Sequence, residues 1–106
     1  MRISGGVITV SAVNNAIKGN DSVDIRGGRI TILDCEDGIK AEKAEREDKG
    51  FVRINGATIF ITALDDAIQA PLSVTITNSS VTTMAEDMAV NCAGNISVQD
   101  GCLIEN

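Results

Sequence analysis

The sequence has no histidine, no tryptophan and no tyrosine, only two phenylalanines and a single proline. Without His there is no Ser-His-Asp triad, no Cys-His pair and no imidazole ligand for zinc. With two aromatics in 106 residues there is no platform on which nucleobases or sugar rings could stack. Positive charge is also scarce: 9 Lys and Arg stand against 15 Asp and Glu, for a net charge of −6. That balance argues against a nucleic-acid partner, which needs clustered cations to neutralise phosphates. No apolar run approaches the ~20 residues that span a bilayer, and MRISGGVITV lacks the apolar core of a signal peptide. No membrane partner is expected. Three cysteines, Cys35, Cys92 and Cys102, form no CxxC and no paired metal spacing, and they read as ordinary thiols.

What is present is β-branched. Fourteen Ile, nine Val and eight Thr outweigh four Leu, and such residues pack well on pleated sheets while losing side-chain freedom in helices. The chain reads as all-β and, at this length, as one domain over residues 1–106.

A repeat organises it. ISGGVITVSAVNNAIKG from Ile3, IRGGRITILDCEDGIKA from Ile25, INGATIFITALDDAIQA from Ile54 and ITNSSVTTMAEDMAVNC from Ile76 align without gaps, with a truncated copy from Val98. The offsets are 22, 29, 22 and 22, so the period is 22 with one seven-residue insertion. Apolar columns run through Ile3, Ile25, Ile54, Ile76 and Val98, through Ile8, Ile30, Ile59, Val81 and Leu103, and through Ile17, Ile39, Ile68 and Val90. Each copy contains three short stretches of period two, which predicts three strands per copy with one face buried. The pattern predicts a right-handed, single-stranded parallel β-helix of about 4.5 coils, since no single coil can bury its apolar face alone. Gly5, Gly27, Gly56, Asn78 and Asp100 share one corner column, which predicts a left-handed bend there. Residues 42–49 (EKAEREDK) read as a charged loop or helical turn leaving the coil, and the ends as those of a segment of a longer solenoid.

One polar column stands out at the corner before the third strand. Asn14, Glu36, Asp65 and Asp87 stack in it, with Asn15, Asp37 and Asp66 beside them. Carboxylates about 5 Å apart repel by roughly 1 kcal/mol in water and by several times that at an effective dielectric near 20. A hard cation such as Ca²⁺, with oxygen ligands at about 2.3–2.6 Å, spans that rung spacing. These seven residues are therefore candidate metal ligands. Asp and Asn at such a corner also cap backbone N–H groups, and that reading stays open. Lys18 and Lys40 project outward near the acids, the only sign of a lyase-like base, and no catalytic residue is assigned. A second-strand ladder of Thr9, Thr31, Phe60 and Thr82 fits ordinary β-propensity. Exposed Leu33, Phe60 and Met84 mark a weak candidate surface for face-to-face self-association, and the coil ends for end-to-end association.

From Asn14 to Ala70 the chain carries the [DE]DGIK and DDAIQA corners, the AIKGNDSV step and the EDKGFV exit from the insertion. In these it resembles secreted carbohydrate-binding-domain proteins of domain-of-unknown-function type, a family related to a cellulose- and acidic-sugar-binding calcium β-helix and similar to family 9 pectate lyases. The resemblance implies a right-handed β-helix, Ca²⁺ between rungs, a polysaccharide or acidic sugar as partner, a non-catalytic role, and a secreted or cell-surface parent protein. It places metal ligation on Glu36, Asp37, Asp65, Asp66 and Asp87. Asn14-Asn15 and Asp87-Met88 depart from the doubled acid, so the ladder weakens at both ends.

Overall fold

The computed structural model describes residues 2–42 and 50–105. The first coil is β1 (Arg2–Ile3), β2 (Val7–Ser11) and β3 (Asn15–Gly19). The second is β4 (Ser22–Arg26), β5 (Arg29–Cys35) and β6 (Asp37–Ala41), and the third β7 (Phe51–Asn55), β8 (Thr58–Ala63) and β9 (Asp66–Ala70). β10 (Ser73–Thr77), β11 (Ser80–Ala85) and β12 (Met88–Cys92) make the fourth, and β13 (Asn95–Gln99) and β14 (Cys102–Glu105) begin a fifth. No helix occurs among the described residues. Strands three apart in sequence pair in parallel, giving three sheets: β1-β4-β7-β10-β13, β2-β5-β8-β11-β14 and β3-β6-β9-β12. The fold is a parallel β-solenoid of about four turns.

The repeat columns become ladders. Ile3, Ile25, Ile54, Ile76 and Val98 are register partners along the first sheet, and Ile17, Ile39, Ile68 and Val90 along the third. Ile25, Ile30, Ile32, Ile39, Ile54, Ile59, Ile61, Ile68 and Ile76 are fully enclosed. Each such side chain stabilises the coil by about 1.5–3 kcal/mol relative to exposure. The corner between the first two sheets bends as expected: Gly5, Gly27, Gly56, Asn78 and Asp100 all have positive φ, with 50° at Asn78 and 52° at Asp100. Asn and Asp are the non-glycine residues that best tolerate this conformation.

The insertion does not disturb the stack. Ser22 pairs with Phe51, and Gly50 links the rungs by donating to Asp21 O and accepting from Leu72 N. The loop or helical turn expected over residues 42–49 lies, beyond Glu42, outside the described residues.

One detail departs from the gap-free alignment. That alignment sets Asp34 opposite Ala63, an inward position. In the structure the register shifts after Ile32 and Cys35 pairs with Ala63 instead. The extra residue in β5 is a β-bulge. Its effect is to bring a fully buried thiol, Cys35, to a place where an unpaired carboxylate would carry a large desolvation cost.

Candidate cation corner and adjoining groove

The corner between the second and third sheets is held first by backbone. Asn14 O accepts from Glu36 N at 2.9 Å and from Asp37 N at 3.3 Å, Glu36 O accepts from Asp65 N at 2.9 Å, and Asp65 O accepts from Asp87 N at 3.0 Å. This ladder stacks the acidic residues rung on rung. Close approach is aided by Gly38, where a Cβ would lie 2.5 Å from Ala67 O and 2.6 Å from a methyl group of Ile61.

The doubled acids then divide into two roles. Asp37 is buried, and its Oδ1 accepts from the backbone N–H of Asp66 at 3.2 Å, while its Oδ2 faces Lys40 Nζ at 3.8 Å. It ties one rung to the next, so the capping reading is realised at this residue. Asp66 is 2% exposed. Its Oδ2 accepts from Asn91 Nδ2 at 2.9 Å, but its Oδ1 is buried without a partner. A carboxylate oxygen removed from water and left unpaired costs more than the roughly 1–3 kcal/mol of a neutral group.

Two other acids converge on the Asp66 carboxylate. Asp65, Asp66 and Asp87 each present an oxygen within 4.8 Å of the others, as do Glu36, Asp37 and Asp65. Asp65 belongs to both groups. Its carboxyl is held above the ordinary value of 3.8 by the charge of Asp66 first, then by burial, the charge of Asp37, and a hydrogen bond to and the charge of Asp87. Two three-carboxylate clusters sharing one residue form an oxygen donor set suited to hard cations. Asn14 and Asn15 extend the ladder by backbone position: Asn14 through its carbonyl and Asn15 as register partner of Asp37.

Beside this corner, on the outer face of the third sheet, lies a groove of about 510 Å³ lined by Lys40, Gln69, Asn91 and the floor of Ala70, Pro71 and Ala93. Lys18, Lys40, Gln69 and Asn91 are successive register partners. Lys18 is paired with Glu42 at 3.0 Å. Gln69 Oε1 is buried and unpartnered. Gln69 and Asn91 are functional candidates that sequence reasoning missed. Their signal was present, since they continue the column of the two outward lysines. Leu33, Phe60 and Met84 are exposed, at 37%, 39% and 46%.

The fold and this corner define a class: a parallel β-solenoid carrying an acidic ladder next to a polar groove. A family model described as "carbohydrate-binding domain-containing protein" matches residues 1–103, and the chain belongs to that family. It is 48% identical over 103 residues to a carbohydrate-binding domain-containing protein of Acetivibrio thermocellus, covering 97% of this chain and 36% of that one. It is also similar to the solved structure of a polysaccharide lyase-like protein from C. thermocellum, a gadolinium derivative. The TM-score is 0.93 with 47% identity, over 99% of this chain and 42% of that one. The chain thus spans well under half the length of both relatives.

Proposed function

We propose that this chain is a non-catalytic carbohydrate-binding solenoid that holds Ca²⁺ between rungs at the acidic corner and lays a polysaccharide or acidic sugar in the adjoining groove. The observation that carries the reading is the Asp66 carboxylate, whose Oδ1 is buried and unpartnered and one oxygen of which lies within 4.8 Å of oxygens of Asp65 and Asp87. A cation there satisfies the orphan oxygen and cancels the repulsion felt by Asp65. Asp65, Asp66 and Asp87 would hold one ion, and Glu36 with Asp37 and Asp65 a second. The ion supplies positive charge toward sugar carboxylates and hydroxyls, while Lys40, Gln69 and Asn91 offer donors one rung apart. That a relative of this fold forms a gadolinium derivative supports the reading, because a lanthanide is another hard, oxygen-seeking cation. Acting on polysaccharide, the parent protein belongs outside the cell.

The relative's description as polysaccharide lyase-like favours a second reading, uronate elimination with Lys40 as base. Against it, Lys40 is ion-paired with Asp37 at 3.8 Å; such a pair leaves ammonium N–H groups to donate to a sugar oxygen but does not offer the free amine that proton abstraction needs. A glycan array with and without Ca²⁺, paired with an assay for unsaturated uronide absorbance, tests both. Calcium-dependent binding without absorbance supports the first reading. Absorbance growing with time replaces it with the second.

A further inference from the structure

The outer face of the first sheet gathers positive charge in an acidic chain. Arg2, Asp24 and Arg53 are successive register partners on β1, β4 and β7. Arg26 lies two positions along β4 from Asp24. The three arginines therefore sit at three successive heights, about 4.8 Å per rung. With Phe51 and Ser22 they line a shallow groove of about 480 Å³. Apart from Asp24, the three arginines and Phe51, the outward positions of this sheet are Ser, Thr, Asn and Gln: Asn55, Thr75, Thr77, Ser97 and Gln99 among them.

Three guanidiniums thus face one carboxylate. Asp24 Oδ2 meets Arg26 Nη2 at 3.1 Å and Arg2 Nε at 4.0 Å. Arg53 forms no ion pair among the described residues. Instead its guanidinium lies 4.9 Å above the Phe51 ring centroid, a cation–π contact that leaves its N–H donors unused by any carboxylate. Arg2 and Arg26 side chains are 65% and 55% exposed. A planar fork of donors, held on a ring and in excess over its counter-charges, matches a carboxylate or sulfate bidentately.

We propose that this face is a second glycan-binding site, independent of divalent cation, which takes oxyanion groups carried along a saccharide chain. The saccharide part rests on the carbohydrate-binding reading above; the oxyanion part rests on the arginines. Arg26 and Arg53 stand one rung and two strand positions apart, about 8 Å between their Cα atoms, so a saccharide chain bearing carboxylates or sulfates that crosses the face on that diagonal meets one guanidinium and then the other.

The test is calorimetric titration of the full chain in chelator, which silences the acidic corner, with an oligogalacturonate, a sulfated oligosaccharide and a neutral cello-oligosaccharide. The expected result is binding of one or both anionic oligomers and not of the neutral one, weakened about tenfold by Arg53→Gln and further in Arg26→Gln/Arg53→Gln. Preference between the two anionic probes identifies carboxylate or sulfate as the group recognised. No anionic binding in chelator, or binding unchanged in the double variant, overturns the proposal. The double variant leaves calcium-dependent binding intact and Asp65→Asn, at the residue common to both acidic clusters, removes it if the corner acts as proposed, so the two sites fail separately.

Discussion

The coil carries two charged regions made by the same stacking rule, and burial separates them. At the acidic corner, Asp37 and Asp66 are 4% and 2% exposed, and backbone hydrogen bonds fix the rungs on which they stand. On the arginine face, only Asp24 is covered, and the arginines reach into solvent. Charge that is buried and fixed cannot relax, so the corner's electrostatics belong to the stability of the fold. Charge that is exposed and on long side chains is screened, so the arginine face bears on binding and hardly on stability.

Several changes would break or sharpen that contrast. The largest effect belongs to the cation. At Ca²⁺ a hundredfold above its dissociation constant, the fold should gain about 2.7 kcal/mol, which for a chain this size raises Tm by roughly 10 °C or more. Thermal melts in Ca²⁺ and in chelator check this, and Asp65→Asn, which removes the ligand shared by both clusters, should abolish the difference. Next is Gly38→Ala. Its Cβ would press on Ala67 O and Ile61, costing about 1–3 kcal/mol by overpacking whether or not metal is present, as urea unfolding would read. Asp37→Ala leaves the Asp66 N–H without its acceptor and should cost about 1–2 kcal/mol in the same measurement.

The pH response is smaller and has a definite sign. Asp65 is raised above 3.8 in the folded chain, chiefly by Asp66, so the folded state holds this proton more tightly than the unfolded one. The stability it contributes is full below 3.8 and is lost as pH rises through the raised value. Metal-free protein should therefore lose this contribution on going from acid toward neutrality, and Asp65→Asn should remove that part of the slope in melts run in chelator. Smallest of all, Arg53→Gln, which breaks no ion pair among the described residues, should change stability by less than about 1 kcal/mol. A larger loss would show that the arginine face is structural after all.

Much of this was legible in the sequence because a parallel solenoid stacks equivalent positions directly. The Ile columns and the corner of Gly5, Gly27, Gly56, Asn78 and Asp100 could be read by aligning copies, and so could the gathering of Glu36, Asp37, Asp65, Asp66 and Asp87. The bulge before Cys35 could not, because a gap-free alignment sets residue 34 opposite Ala63 and has no place for the extra residue of β5. Nor could the separate roles of Asp37 and Asp66. Both are aspartates in one column, and only the direction of each carboxylate makes one a cap and leaves the other with an orphan oxygen. The arginine face escaped because Arg26 stands outside the column shared by Arg2 and Arg53.

The most direct test of the cation corner is calcium titration by calorimetry on the wild-type chain and on Asp65→Asn, which removes the carboxylate common to both clusters. Saturable binding by the wild type that Asp65→Asn abolishes is the predicted result. No heat from the wild type, or equal binding by the variant, would contradict the account.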